Sequence, residues 1–303
     1  MSATARIVTW QRTAAVELIA ADTRVMVVPE LGMVLGAFVV DGFDHVARPG
    51  GITALRGNHT TAVPLLHPWA NRLSRRRFTA AGTEVSLRGL PLHTDEHGLP
   101  IHGVLVGHPG WEITALGRGR VTAWFDFGAH PELLAAFPFP HSLTVTVRVT
   151  RRTVRVETTV HADQGVAVPV SFGWHPYWRV PGARVDWHLA LPEVAHERLD
   201  RRGIPTGRAR SEAAAVAPLA DRAFDDLYAL AETRTFELRG DGPRLRVAFD
   251  DGYPFAQVYS PIGADFCCVE PMTAPTNALV TGDHPVVRAG DHFTASFRAD
   301  VGR

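Results

Sequence analysis

The chain has 303 residues, 46% hydrophobic and 20% charged. That balance is ordinary for a globular protein, and a chain this long buries enough surface to fold without disulfide or metal staples. Acidic and basic residues cancel at 31 each, so the cation excess that a sequence-independent nucleic-acid binder needs against phosphate is missing, and that class is excluded.

All 31 basic residues are arginine. Without lysine there is no Schiff-base lysine, no Walker lysine and no lysine general base. The two cysteines, Cys267 and Cys268, are adjacent and cannot build a disulfide framework. The longest apolar stretch, 25–40, is broken by Pro29 and Glu30 and is too short to span a bilayer. The first twenty residues lack the apolar core of a secretory signal. These features predict a cytoplasmic protein with no membrane partner. One glycosylation sequon, Asn58-His59-Thr60, has no role in that setting.

Taken in chain order, short runs of alternating or continuous apolar residues predict strands at 23–28, 35–40, 111–116 and 121–127. Residues 131–137 predict one or two helical turns. Residues 142–150 alternate cleanly, Arg151-Arg152 interrupts, and 153–160 resume, which predicts a hairpin with one buried face. Further strands are predicted at 166–172, 185–189, 245–249, 255–259 and 292–299, with a second short helix at 218–227. The Arg/Ala-rich stretch 198–217 has the weakest pattern and is read as a surface loop. Gly and Pro together number 49 and punctuate these runs. There is no repeat, no linker and no strand–Gly-rich–helix unit, so nucleotide-binding α/β folds are disfavoured. The expectation is an all-β fold with few short helices, a single domain over 1–303.

Four segments carry candidate chemistry. His93-Thr-Asp-Glu96-His97 has the spacing of a zinc peptidase motif, but that chemistry needs a helix, and Pro91 and Gly98-Leu99-Pro100 bracket the segment. It is read as a solvated loop, with no metal expected. In the second segment, residues 64–73, Asn71 and Arg72 are polar groups beside an apolar wall. A forked guanidinium there can bind vicinal hydroxyls or a carboxylate. The third segment is Ile101-His102-Gly103. The fourth is Trp174-His175-Pro176-Tyr177-Trp178, whose aromatics are either core or a platform for sugar C–H faces. Far downstream, Glu270 follows the apolar run 266–269. It is expected at a strand end facing a cleft, with no local basic neighbour and a pKa suited to base chemistry.

Asn71-Arg72-Leu73, Ile101-His102-Gly103, His175-Pro-Tyr-Trp178, Phe224-Asp225-Asp226 and Val269-Glu-Pro-Met-Thr-Ala-Pro-Thr-Asn-Ala278 occur in this order. Together they resemble the aldose 1-epimerase (galactose mutarotase) family over roughly residues 10–300. The resemblance implies a large antiparallel β-supersandwich with the sugar site in a cleft on one sheet. It implies His175 as general acid, Glu270 as general base and His102 as the second active-site histidine. Arg72 and Asp225, with Asn71 alongside, would bind sugar hydroxyls. Two positions depart from the pattern. Arg179 stands where relatives often have Asn, and Asp226 where several have His, which puts the preferred sugar in doubt.

The implied reaction interconverts the α and β anomers of a free aldohexose. It consumes no net proton, hydride or electron, so no cofactor and no metal are expected. The partner is a small sugar, and the protein is expected to be a monomer or homodimer. Two alternatives stay open. One is a hexose-6-phosphate 1-epimerase, with Arg75-Arg76-Arg77 holding the phosphate. The other is a sugar sensor on the same fold, which would be expected to lose His175 or Glu270. A glycosidase fits less well, because it needs two carboxylates at a set separation.

Overall fold

The computed structural model describes residues 3–57 and 59–302, so Asn58 of the sequon lies outside the described residues. Almost all regular structure is antiparallel strand. The chain opens with a five-stranded meander, Thr4–Trp10, Thr13–Ala20, Thr23–Val28, Val34–Val40 and Phe43–Asp44. A nine-stranded sheet follows. At its centre the predicted hairpin appears as His141–Thr150 paired with Thr153–Ala162, and His292–Gly302 lies on the far side of the second strand. Period two does its work here. Leu143, Val145, Val147, Val154, Val156 and Val160 point inward and are buried, each worth roughly 1.5–3 kcal/mol when fully removed from water.

The third large sheet positions the site. Its order is Pro205–Glu212, Val194–Leu199, Phe224–Leu230, Phe255–Ser260, Cys267–Met272, Gly173–Trp174 and Leu65–Leu66, with Tyr177–Trp178 also pairing with Cys267–Met272. One face turns to the nine-stranded sheet: Val258, Val269, Cys267 and Trp174 share a core cluster with Val145, Val156 and Phe297. Trp174 Nε1–H donates to Thr158 Oγ1 at 3.1 Å, a buried polar tie between the two sheets. The opposite face of the same strands carries the polar residues of the cavity described below.

Several sequence expectations change. Residues 218–227 are not a helix; Phe224–Leu230 is a strand. It gains partners on both sides, from Val194–Leu199 and Phe255–Ser260, and that pairing overrides a weak local pattern. Residues 198–217 are not a loop. They contribute to Val194–Leu199, Pro205–Glu212 and Ala215–Pro218. Pro205–Glu212 is a sheet edge exposed along most of its length, so no apolar alternation marks it. Its Arg208 and Arg210 suit an edge that must not pair further. Of 166–172 only Val168–Pro169 is a regular strand, and 185–189 begins as the 3₁₀ turn Arg184–Asp186 before the strand His188–Leu191. The helical turn within 131–137 is present as Pro131–Leu134. Among the described residues no helix is long and apolar enough to cross a membrane.

Gly173 is required where the histidine segment meets the strand of Glu270. A Cβ there would lie 2.6 Å from Pro271 O and 3.0 Å from Ala70 Cβ. Gly173→Ala is expected to destabilise the protein by about 1–3 kcal/mol, the usual range for overpacking. Urea unfolding measures it; an unchanged midpoint would show that this approach is not tight.

Three buried histidines away from the cavity are held neutral. His141 Nδ1–H donates to Phe139 O at 2.6 Å, which leaves its Nε2 to accept from His67 Nε2–H at 2.8 Å. Burial draws His141 and His45 down to about 4 and His67 well below the ordinary value. A histidine whose folded pKa is lowered leaves the unfolded chain binding more protons below pH 6.5, so stability falls as pH drops. The urea midpoint is therefore expected to decline from pH 6.5 toward pH 4. A flat profile over that window would contradict the neutral assignment.

Candidate functional site

Strand register builds the site. Cross-strand partners share a face, so Leu227, Gln257 and Glu270 form one row, and Asp225, Tyr259 and Cys268 form the next, continued by Tyr177. Glu270 is not at a strand end, as the sequence suggested. It lies within Cys267–Met272, because pairing with Phe255–Ser260 continues to Met272. His175 follows the two-residue strand Gly173–Trp174. Alternation sends Trp174 to the core and His175 to the cavity. Its backbone N–H donates to Pro64 O at 3.0 Å.

The Asn71 and His102 segments are laced together. His102 N–H donates to Asn71 O, Leu73 N–H to Pro100 O, and Arg72 bridges Ile101. Asn71 and His102 both hold positive φ, 55° and 64°, a conformation uncommon outside glycine. Next to His102, Gly103 has no room for a side chain, since a Cβ would meet His67 O at 2.2 Å. Asn277, at the end of the longest motif, accepts Ser74 N–H at 2.8 Å and ties the arginine segment to the Glu270 segment.

These elements enclose a cavity of about 270 Å³ lined by all six expected site residues, Asn71, Arg72, His102, His175, Asp225 and Glu270. It lies below the roughly 300–1,000 Å³ of pockets for drug-sized ligands and suits one small molecule. His175 Nε2 sits 3.3 Å from Glu270 Oε1, and both side chains are nearly inaccessible, at 6% and 2% exposure. The His175 ring stacks on Tyr177 at 4.6 Å and meets His102 edge-on at 5.2 Å. Tyr177 is fixed in turn by a 2.7 Å hydrogen bond between its hydroxyl and Thr60.

Arg72 is held on several sides. Its Nε–H donates to Asp95 at 2.8 Å, a second N–H donates to Asn71 Oδ1 at 3.2 Å, and Asp225 lies 3.7 Å away. Gln257 donates to the other Asp225 oxygen at 2.6 Å. Four buried polar atoms of the lining have no hydrogen-bond partner: Glu270 Oε2, His175 Nδ1, His102 Nδ1 and Gln257 Oε1. Such groups are costly when unmet, and a polar ligand would meet those within its reach.

Burial sets the electrostatics. It pulls His175 down to about 3 and His102 well below the ordinary imidazole range, with the neighbouring ring of His175 adding to the latter. It pushes Glu270 well above the usual carboxylate range; Asp225 adds to this and the Arg72 guanidinium opposes it. The sequence reading gave Glu270 no basic neighbour, and folding supplies one from 198 residues away. Asp225 is also raised by burial. Burial thus favours the proton on the Glu270 carboxyl beside a neutral His175, close enough at 3.3 Å for that proton to pass between them. That is the arrangement a reversible acid–base reaction requires.

Other expectations resolve less simply. The 93–97 segment contains no helix, as expected, yet it is not merely solvated. His93, Asp95 and Glu96 line the cavity, and Asp95 also accepts the N–H groups of His97 and Leu99, both at 2.9 Å. Thr60, Tyr177, Gln257 and Tyr259 line it too. A signal for Gln257 existed, a lone amide in an apolar strand. Arg75, Arg76 and Arg77 are not in the lining; Arg77 pairs with Glu84 at 3.4 Å within the hairpin Arg77–Ala80 and Thr83–Ser86. The two departures from the motif pattern also stand outside it. Arg179 lies over Phe43 at 5.1 Å, and Asp226 accepts from His196 at 3.2 Å. Among the described residues, one group with metal-ligand spacing involves the lining: His175 and Glu270 with the buried Cys268 outside it, ligand atoms within 4.8 Å of one another.

Comparison with solved structures finds the same fold. A galactose mutarotase-like protein from Clostridium acetobutylicum superposes with a TM-score of 0.85 at 14% identity, covering 99% of this chain and 98% of that one. Slr1438 from Synechocystis sp. PCC 6803 gives 0.78 at 20% identity, with 97% and 98% covered. A galactose 1-epimerase from Lactobacillus acidophilus NCFM gives 0.75 at 13% identity, with 99% of each covered. No curated protein sequence matches. The aldose 1-epimerase family profile matches residues 15–299, a span that contains every one of the motifs, and the chain belongs to that family.

Proposed function

We propose that the protein is an aldose 1-epimerase acting on a free aldohexose, with His175 and Glu270 as its acid–base pair. The observation that carries this reading is their 3.3 Å contact in the wall of a small polar cavity. In ring opening, Glu270 takes the C1 hydroxyl proton while His175 delivers a proton to the ring oxygen. The aldehyde turns about C1–C2. In closure on the other face the roles reverse, so the site returns to its starting state with no net proton exchanged.

Burial favours the neutral forms of both groups before substrate arrives. Sugar hydroxyls donating to Glu270 would favour its anionic form, and its proton passes across the 3.3 Å contact to His175, which makes the carboxylate the base and the imidazolium the acid that ring opening needs. His102, edge-on to His175, is the group to steady charge at the ring oxygen. Arg72, Asn71 and Asp225 would hold the remaining hydroxyls; the ion pair with Asp95 keeps the Arg72 fork in place. The presence of both His175 and Glu270 favours an enzyme over a sensor. Arg75, Arg76 and Arg77 do not line the cavity, which favours a free sugar over a phosphorylated one.

Polarimetry on freshly dissolved α-glucose or α-galactose is the direct assay. Glu270→Gln is expected to lower kcat on the order of 10²-fold or more, and His175→Asn likewise. The double variant should be little worse than either single one, because the two residues act as a unit. Near-normal turnover by Glu270→Gln would exclude it as base. Binding of sugars without any acceleration by the wild type would instead identify a sensor.

Replacing Arg75, Arg76 and Arg77 together by alanine should leave the rate on free sugar unchanged. If the wild type ignores free sugars, equilibrates a hexose 6-phosphate, and loses that activity in this triple variant, the phosphate reading replaces ours.

A further inference from the structure

Among the described residues, one other group of side chains, outside the catalytic cavity, converges with metal-ligand geometry: His108, His130 and Glu132, whose ligand atoms lie within 4.8 Å of one another. They come from two segments. His108 lies on the loop that follows His102-Gly103. His130 precedes the helical turn Pro131–Leu134, and Glu132 is in it. None of the three lines the catalytic cavity.

Both imidazoles are fixed before any ion arrives. The His130 ring stacks on the buried Phe125 at 4.9 Å with only 4° between planes. The His108 ring meets the same Phe125 edge-on at 5.3 Å and His130 at 5.0 Å. His108 Nδ1–H donates to Pro109 O at 2.5 Å. That is the outer hydrogen bond that sets the tautomer of a metal-ligating histidine and leaves Nε2 with its lone pair free. The loop itself is seated hard, since a Cβ on Gly107 would meet Leu55 O at 2.6 Å.

The spacing fits a small tetrahedral ion. Bonds of about 2.0–2.2 Å place ligand atoms about 3.3 Å apart around zinc. Glu132 Oε1 accepts from His130 Nδ1–H at 3.0 Å and lies 3.8 Å from His108 Nε2, which brackets that value; an ion would take the place of the Nδ1 proton, which moves to Nε2 of the same ring. The side chains are 21%, 28% and 62% exposed for His108, His130 and Glu132, so an ion and its waters have access. Two imidazoles and one carboxylate select borderline transition ions over Mg²⁺ or Ca²⁺.

We propose that His108, His130 and Glu132 form a site for a divalent transition ion, Zn²⁺ foremost, that is separate from the catalytic cavity. Bound there, the ion clamps the loop following His102 to the junction of the Arg120–Asp126 strand and the Pro131–Leu134 helix.

Isothermal titration of the untagged, metal-stripped protein with ZnCl₂, paired with thermal unfolding, tests this. One Zn²⁺ per chain is expected, with Tm raised by a few degrees at saturation. His130→Ala and Glu132→Gln should each weaken binding about ten-fold or more and remove the Tm shift, while mutarotation of glucose by these variants stays at the wild-type rate. Glu132→Gln alters an exposed side chain and keeps the test decisive should His130→Ala fold poorly. The absence of saturable binding would overturn the proposal. So would binding untouched by both variants, or an ion that survives them and is lost in Cys268→Ala, which would place it on the catalytic pair.

Discussion

The structure depends on the pairing of one strand, Cys267–Met272, with Phe255–Ser260 on one side and two short strands from the histidine segment on the other. Backbone hydrogen bonds fix that register, and the register fixes which side chains share a face. A slip of one residue would send Glu270 to the core and Val269 to the cavity. The contact between His175 and Glu270 is therefore not held by the two side chains. It is held by the ladder beneath them, and by Gly173, whose missing side chain lets the segments close.

Holding such a pair out of water is costly, and the surroundings show how the cost is met. Arg72 is buried with three carboxylates within 4 Å, Asp95, Glu96 and Asp225, so the cavity gains a cation without an unpaired charge. The Asp95 side chain is buried as well, and its second oxygen is spent on backbone N–H groups of its own turn. The arginine fork is thereby presented in one orientation. In contrast, Glu270 Oε2 and Gln257 Oε1 are left without partners. A site whose scaffold is satisfied and whose cavity-facing polar atoms are not is organised for a ligand rather than for its own stability.

Much of this was legible in the sequence. Period two in 142–160 gave the central hairpin directly, because each strand has one wet and one dry face. The ordered motifs gave six residues that now line one cavity. What could not be read was anything that arises only when distant strands meet. The Pro205–Glu212 edge has no dry face, so its pattern resembles a loop. The Phe224–Leu230 strand is specified by its neighbours more than by its own residues. Asp95 looked like a solvated turn because its partner, Arg72, is 23 residues away. His108 and His130 share no sequence motif; the fold sets their rings against each other and against Phe125.

The exposed Pro205–Glu212 strand also bears on assembly. A second copy adding antiparallel across that edge by two-fold symmetry would set arginines 208 and 210 near their own counterparts, since an isologous contact pairs each surface with itself. Like charges facing across a ladder oppose pairing. In that register the exposed edge of the sheet that carries the cavity discourages addition of a second copy.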